Sequence, residues 1–146
     1  MRNSGDTLNY GSCRWATVPA RYIATACSGG EYTVLADGTT VYLNAESELR
    51  FPKQFRGKNR KVYLTGEGYF DVQRNEKQPF IVEAQQVEVR VLGTSFGVRA
   101  YTKEENVLTT LIQGRVNVEA DGQQVELNPG QQADFNRGND RLTVAR

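Results

Sequence analysis

Hydrophobic and polar residues alternate one for one along much of this chain. Val87-Glu88-Val89-Arg90-Val91, Arg115-Val116-Asn117-Val118 and Gln124-Val125-Glu126-Leu127 each send apolar side chains to one side and polar ones to the other. That is the pattern of a strand with one buried face. Thr40-Val41-Tyr42-Leu43, Lys61-Val62-Tyr63-Leu64, Tyr69-Phe70-Asp71-Val72 and Pro79-Phe80-Ile81-Val82 add β-branched and aromatic residues, which suit a pleated, half-buried surface. Valine outnumbers leucine fifteen to ten, and its branched Cβ favours strand over helix. Turn signals part these blocks about every ten residues. They are Asp37-Gly38, Gly57-Lys58-Asn59, Arg74-Asn75-Glu76-Lys77, Asp121-Gly122, Asn128-Pro129-Gly130 and Gly138-Asn139-Asp140. Asp37-Gly38 and Asp121-Gly122 predict tight hairpins, since glycine accepts the positive φ of a type I′ turn.

No stretch carries a helical stripe of more than about two turns. Ala45 to Leu49 offers one short turn, and Tyr101 to Asn106 reads as a charged loop. The expectation is an all-β fold of many short strands, in a sandwich, jelly-roll-like or stacked-sheet (solenoid-like) arrangement with little or no helix. Val62 to Val72 can be laid over Leu108 to Val118, which sets Gly68 against Gly114 between two strands. Such a glycine marks a bulge or a corner where the chain changes sheets, although two β-rich stretches also resemble one another by chance.

Residues 1–12 are polar without regular apolar spacing and read as a mobile lead-in. Arg14 to Cys27 reads as a loop or an irregular edge strand. The expected division is therefore a lead-in over 1–28 and an all-β domain over 29–146.

The length of 146 residues suits about one domain, able to bury on the order of 70% of its unfolded surface without a metal or disulfide scaffold. Histidine is absent and there are two cysteines. This removes Ser–His and Cys–His nucleophiles, imidazole proton shuttles and His-ligated metals, and leaves too few thiolates for a zinc or iron–sulfur centre. Eighteen Lys+Arg against seventeen Asp+Glu is unlike the basic balance of a nucleic-acid binder. No apolar run reaches the roughly 18 residues of a membrane span. The chain reads as a non-enzyme with no catalytic, cofactor-binding or metal site.

Individual motifs support that reading. Gly66-Glu67-Gly68 follows a strand but precedes another strand, whereas a phosphate loop needs a helix N-terminus. A β-corner fits better. Glu67 and Asp71 lie four apart on a strand, about 13 Å by strand rise, too far for a glycosidase carboxylate pair. Tyr42, Phe51, Tyr69 and Phe70 serve either as a sugar-stacking set or as core and cross-strand pairs. Cys13 and Cys27 enclose thirteen residues and are either two free thiols or a disulfide worth about 3 kcal/mol. The pairs Gln85-Gln86, Gln123-Gln124 and Gln131-Gln132 read as solvated strand ends, where a polar edge can accept a partner strand.

From about residue 30 onward the chain resembles the periplasmic domain of FecR-type sigma-factor regulators, the anti-sigma factors of Gram-negative cell-surface signalling. The segments that carry the resemblance come in order: Gly29-Gly30-Glu31-Tyr32, Leu35 to Ser47 around Asp37-Gly38-Thr39, Leu49-Arg50-Phe51-Pro52, Arg60 to Val72, and Pro79-Phe80-Ile81-Val82. Val89 to Val98 around Leu92-Gly93-Thr94-Ser95-Phe96, Thr110 to Val116, and Leu127-Asn128-Pro129-Gly130-Gln131 complete the series. In it, Asp37-Gly38-Thr39 is expected to be the tight turn feeding a strand, and Gly93 a kink returning Phe96 to the core. Gly68 stands where the family commonly has Ala.

The resemblance implies a function by contact. It predicts a domain of a single-pass inner-membrane protein that receives a signal from the signalling domain of a TonB-dependent outer-membrane transducer. The sigma factor would be held only through a cytoplasmic segment that this chain lacks, as it lacks the membrane span and a C-terminal α/β domain. A periplasmic location follows and shifts the cysteines toward oxidation. A homodimer through exposed β-edges is the further expectation, and a carbohydrate- or small-ligand-binding β-sandwich is the alternative.

Overall fold

The computed structural model describes residues 7–10, 13–18, 21–26 and 31–146, with side chains from residue 32 onward. Among these residues there are fifteen strands and no helix. They are β1 (Thr7–Tyr10), β2 (Cys13–Val18), β3 (Arg21–Ala26), β4 (Glu31–Val34), β5 (Thr40–Leu43), β6 (Ser47–Pro52), β7 (Arg60–Asp71) and β8 (Phe80–Ala84). After them come β9 (Val87–Val91), β10 (Ser95–Ala100), β11 (Asn106–Gln113), β12 (Val116–Ala120), β13 (Gln123–Leu127), β14 (Gln132–Asn136) and β15 (Arg141–Ala145). The fold class is all-β, as the alternation predicts.

Two sheets share one core and one strand. The first runs β1-β2-β3-β6-β7-β8-β9-β12-β13, and the second runs β4-β5-β7-β10-β11-β14-β15. β7 begins in the first sheet and ends in the second. Its alternation explains how: Arg60, Val62, Leu64 and Phe70 are buried, while Tyr63, Thr65, Tyr69 and Asp71 face outward. Period 2 sends one face of every strand into the interior. There Phe70 stacks on Phe96 at 5.1 Å and meets Phe80 edge-on, among Leu43, Leu49, Leu111, Leu127 and Phe135.

The change of sheet occurs at Gly66, whose φ is +99°. β11 leaves the second sheet for β12 in the first at Gly114, with φ +100°. The internal echo is therefore real in space, but the equivalent of Gly114 is Gly66 and not Gly68. Two residues separate the alternatives, and after the glycine either one sets Phe70 on a buried valine of β12. Before it the phases differ, with Leu64 buried two residues ahead of Gly66 and Leu111 three ahead of Gly114. Another crossing, from β9 to β10, passes through Gly93 and returns Phe96 to full burial.

Asp121 and Gly122 both have positive φ and form the two-residue turn joining β12 and β13. Asp37-Gly38 belongs to a longer hairpin. Gly38 N–H donates to Leu35 O at 3.0 Å, and of the two residues only Gly38 has positive φ, as in a turn followed by a glycine bulge. The turn at Ala45-Glu46 ends at once in β6, so Ser47 to Leu49 is strand.

Within residues 1–28, where the sequence predicts a lead-in and then a loop or an irregular edge strand, β1, β2 and β3 form an antiparallel meander. β3 is interior, flanked by β2 and β6. The rest of that segment, including Cys27, lies outside the described residues, as does the Cys13 side chain.

The glutamine pairs are not simply solvated ends. Gln85-Gln86, both at positive φ, make the tight β8–β9 turn. Gln123 joins the far ends of the two sheets: its Oε1 accepts from Leu142 N–H at 3.1 Å, and its Nε2 donates to Asp140 O at 2.7 Å. With β7 on one side and this clasp on the other, the sandwich is nearly closed.

Candidate interaction surface

Register fixes which residues are neighbours across a sheet. On the outer face of the second sheet one row runs Tyr32, Tyr42, Tyr69, Gly97, Thr110, Gln132 across β4, β5, β7, β10, β11 and β14. Gly97 interrupts the row of side chains. A Cβ there would have only Gly68 O within 4 Å, at 3.8 Å, so the strand floor lies open as a groove of about 300 Å³. Tyr42 and Tyr69 form one wall, Leu108 and Ile112 the other. Tyr32 packs edge-on to Tyr42 at 4.9 Å. Tyr32, Val34 and Ile112 are more than half exposed, and Tyr69 is 41% exposed.

The groove ends in a charged cluster. Arg99 donates through Nε and Nη2 to both oxygens of Glu104, at 2.9 and 2.7 Å, and through Nη1 to Glu67 at 3.3 Å. Asn44 donates to the same Glu67 oxygen at 2.9 Å. The guanidinium also lies 5.1 Å from the Tyr101 ring centroid, and Tyr101 Oη donates to Ala45 O. The bidentate bond with Arg99 holds the Glu104 carboxyl below its ordinary range and raises Arg99 further.

The residues singled out by sequence separate cleanly. Glu67 and Asp71 both face outward, but Glu67 belongs to the Arg99 cluster and Asp71 accepts from Ser95 Oγ at 3.1 Å. They are not brought together as a carboxylate pair. Gly66-Glu67-Gly68 is a corner inside β7. Of the aromatic set, Phe51 and Phe70 are core residues, whereas Tyr42 and Tyr69 are surface neighbours.

Two arginines escaped the sequence reading. Arg60 is fully buried and donates Nε to Gln78 O, Nη1 to Asp37 Oδ2 and Gln73 O, and Nη2 to Asn75 O and Leu92 O. All five donors are used, and Phe80 covers the group at 5.4 Å. Arg137 gathers the loop after β10 through Thr102 O at 2.9 Å and Glu104 O, and reaches Gln85 Oε1 at 3.2 Å. The signal for Arg60 was its phase, two before Val62 and four before Leu64 on the inward side.

Comparison with known proteins agrees with this architecture. The family model described as FecR protein matches residues 22–117, from β3 into β12. Two crystal structures of a candidate anti-sigma factor from Parabacteroides distasonis ATCC 8503 superpose with TM-scores of 0.83 and 0.82, each at 34% identity. They cover 86% and 85% of this chain, which spans 60% and 59% of theirs. A 1,3-beta-galactosyl-N-acetylhexosamine phosphorylase of Lachnoclostridium phytofermentans is 31% identical over 75 residues, 47% of this chain and 10% of that enzyme. A family match over more than half the chain, joined to a shared fold at 34% identity, places the protein in the FecR family.

Proposed function

We propose that this domain is the regulatory, signal-receiving part of an anti-sigma factor and that it works by contact. Family membership, with the fold shared by a candidate anti-sigma factor, carries the reading. The outer face of the second sheet supports it: exposed Tyr69 and Ile112 line one groove, and exposed Tyr32 packs on its Tyr42 wall. Isolated apolar residues are ordinary on a surface, whereas a contiguous set rimmed by charge is typical of a docking site. The partner is the signalling domain of a TonB-dependent outer-membrane transducer. The domain stands in the periplasm as part of a membrane-anchored protein, and the sigma factor is held elsewhere in that protein.

Calorimetric titration with the transducer's N-terminal signalling domain tests the reading. Saturable binding is expected, weakened at least tenfold by Tyr69→Ala or Ile112→Asp, since aromatic and apolar anchors dominate such interfaces. Absence of binding by both this domain and the full periplasmic region would overturn it. The Tyr42–Tyr69 wall beside Gly97 also favours a second reading, stacking of a sugar ring. Glycan binding lost in Tyr69→Ala, without transducer binding, would select that one.

A further inference from the structure

A second concavity lies on the other sheet, where two sheet crossings meet. It measures about 570 Å³ and is lined by Arg74, Arg90, Arg115, Leu92, Asn117 and Glu126, among others. Each arginine is set by the backbone. Arg90 projects from β9 beside Asn117 of β12, and continuing that antiparallel count brings Arg115 opposite Leu92. Thr94 Oγ1 donates to Arg115 O at 2.9 Å, which fixes the chain after the Gly114 corner. Arg74 is held between two backbone bonds, Val72 N–H to Thr94 O and Asn75 N–H to Leu92 O, both 2.9 Å. Its own backbone packs so tightly on Gly93 that a Cβ there would lie 2.7 Å from Arg74 Cα.

The charge at this corner is not balanced from within. Arg74 pairs with Glu76 in an exposed contact, but Arg90 and Arg115 have no side-chain hydrogen bond or ion pair among the described residues. Glu126 is in register with Asn117, two strands from Arg90 and so about 10 Å away. Two unpaired guanidinium groups beside a partly exposed Leu92 (38%) suit a carboxylate attached to an apolar neighbour, because guanidinium recognises carboxylate in a planar, bidentate way. The volume exceeds what a bare anion fills. Glu126 on the far rim would repel a second anion and offers an acceptor to a peptide N–H.

We propose that this corner binds an acidic side chain of a partner peptide whose adjacent aliphatic residue packs on Leu92. The site lies on the opposite sheet from the tyrosine groove and stands independently of the function proposed above. The test is an amide-shift titration of the domain with a blocked Leu-Asp-Leu peptide, its Leu-Asn-Leu counterpart, and inorganic phosphate. Saturable shifts are expected at residues 92–94 and 114–117 with the acidic peptide. They should weaken at least tenfold in Arg90→Gln, in Arg115→Gln and with the amide peptide, while Tyr69→Ala leaves them unchanged. Equal binding of the amide peptide, indifference to both arginine substitutions, or phosphate binding as tightly as the acidic peptide would each overturn the proposal.

Discussion

Arg60 shows how one side chain organises distant chain segments. Its guanidinium ties the Asp37 hairpin, the crossover loop after β7 and the end of β9 into one knot through five acceptors. A buried ion pair contributes little net stability against an apolar substitute, but removing one partner strands the other. Here Arg60→Ala would leave Asp37, itself only 17% exposed, and several carbonyls without their donor. The expected loss is about 3–5 kcal/mol by urea denaturation, with Arg60→Lys recovering part because an ammonium cannot span the same acceptors. A loss below about 1 kcal/mol, the scale of an exposed ion pair, would contradict the role. The inward phase of Arg60 was visible in the sequence. Its partners were not, since they come from loops 13 to 32 residues away and loops carry no periodicity.

At the scale of elements, alternation was enough to place β9, β12 and β13, because burial on one face enforces period 2. The β-branched and aromatic blocks marked β5, β7 and β8. Alternation could not tell which glycine turns the corner, since Gly66 and Gly68 share a phase. Nor did it reveal the Gln85-Gln86 turn, which lacks any glycine or asparagine. The corner has a measurable consequence. A Cβ on Gly66 would sit 2.7 Å from Ser47 Cα at a φ of +99°, and one on Gly114 would meet Gly93 O at 3.0 Å. Both backbone strain and overpacking therefore oppose alanine. Gly66→Ala is expected to cost about 3 kcal/mol or more and Gly114→Ala somewhat less. Gly122→Ala, where nothing lies within 4 Å, should cost about 1 kcal/mol. Thermal unfolding of the three variants checks the order. Equal losses at Gly66 and Gly122 would show that the crossing does not depend on close approach.

For the whole molecule, the sandwich is joined on one side by a covalent strand, β7, and on the other by the Gln123 side chain, which ties β13 to the start of β15. Periodicity says which face a residue occupies but not which strand lies beside it. The tyrosine row and the Gln123 clasp were therefore hidden: Tyr32 and Tyr69 become neighbours of Tyr42 only through register. The family match ends at Asn117, so β13 to β15 and their closure lie beyond it. Two side-chain hydrogen bonds hold that closure, worth about 1–2 kcal/mol together. Gln123→Ala is thus expected to speed amide exchange in β15 about fivefold to tenfold, while Phe70, Phe96 and the rest of the core keep their protection. Binding at the Tyr42–Tyr69 groove should be unchanged, because its walls, Tyr42, Tyr69, Leu108 and Ile112, stand on β5, β7 and β11. If exchange rises across both sheets instead, the two halves are one cooperative unit, and the clasp belongs to global stability instead of to the edge.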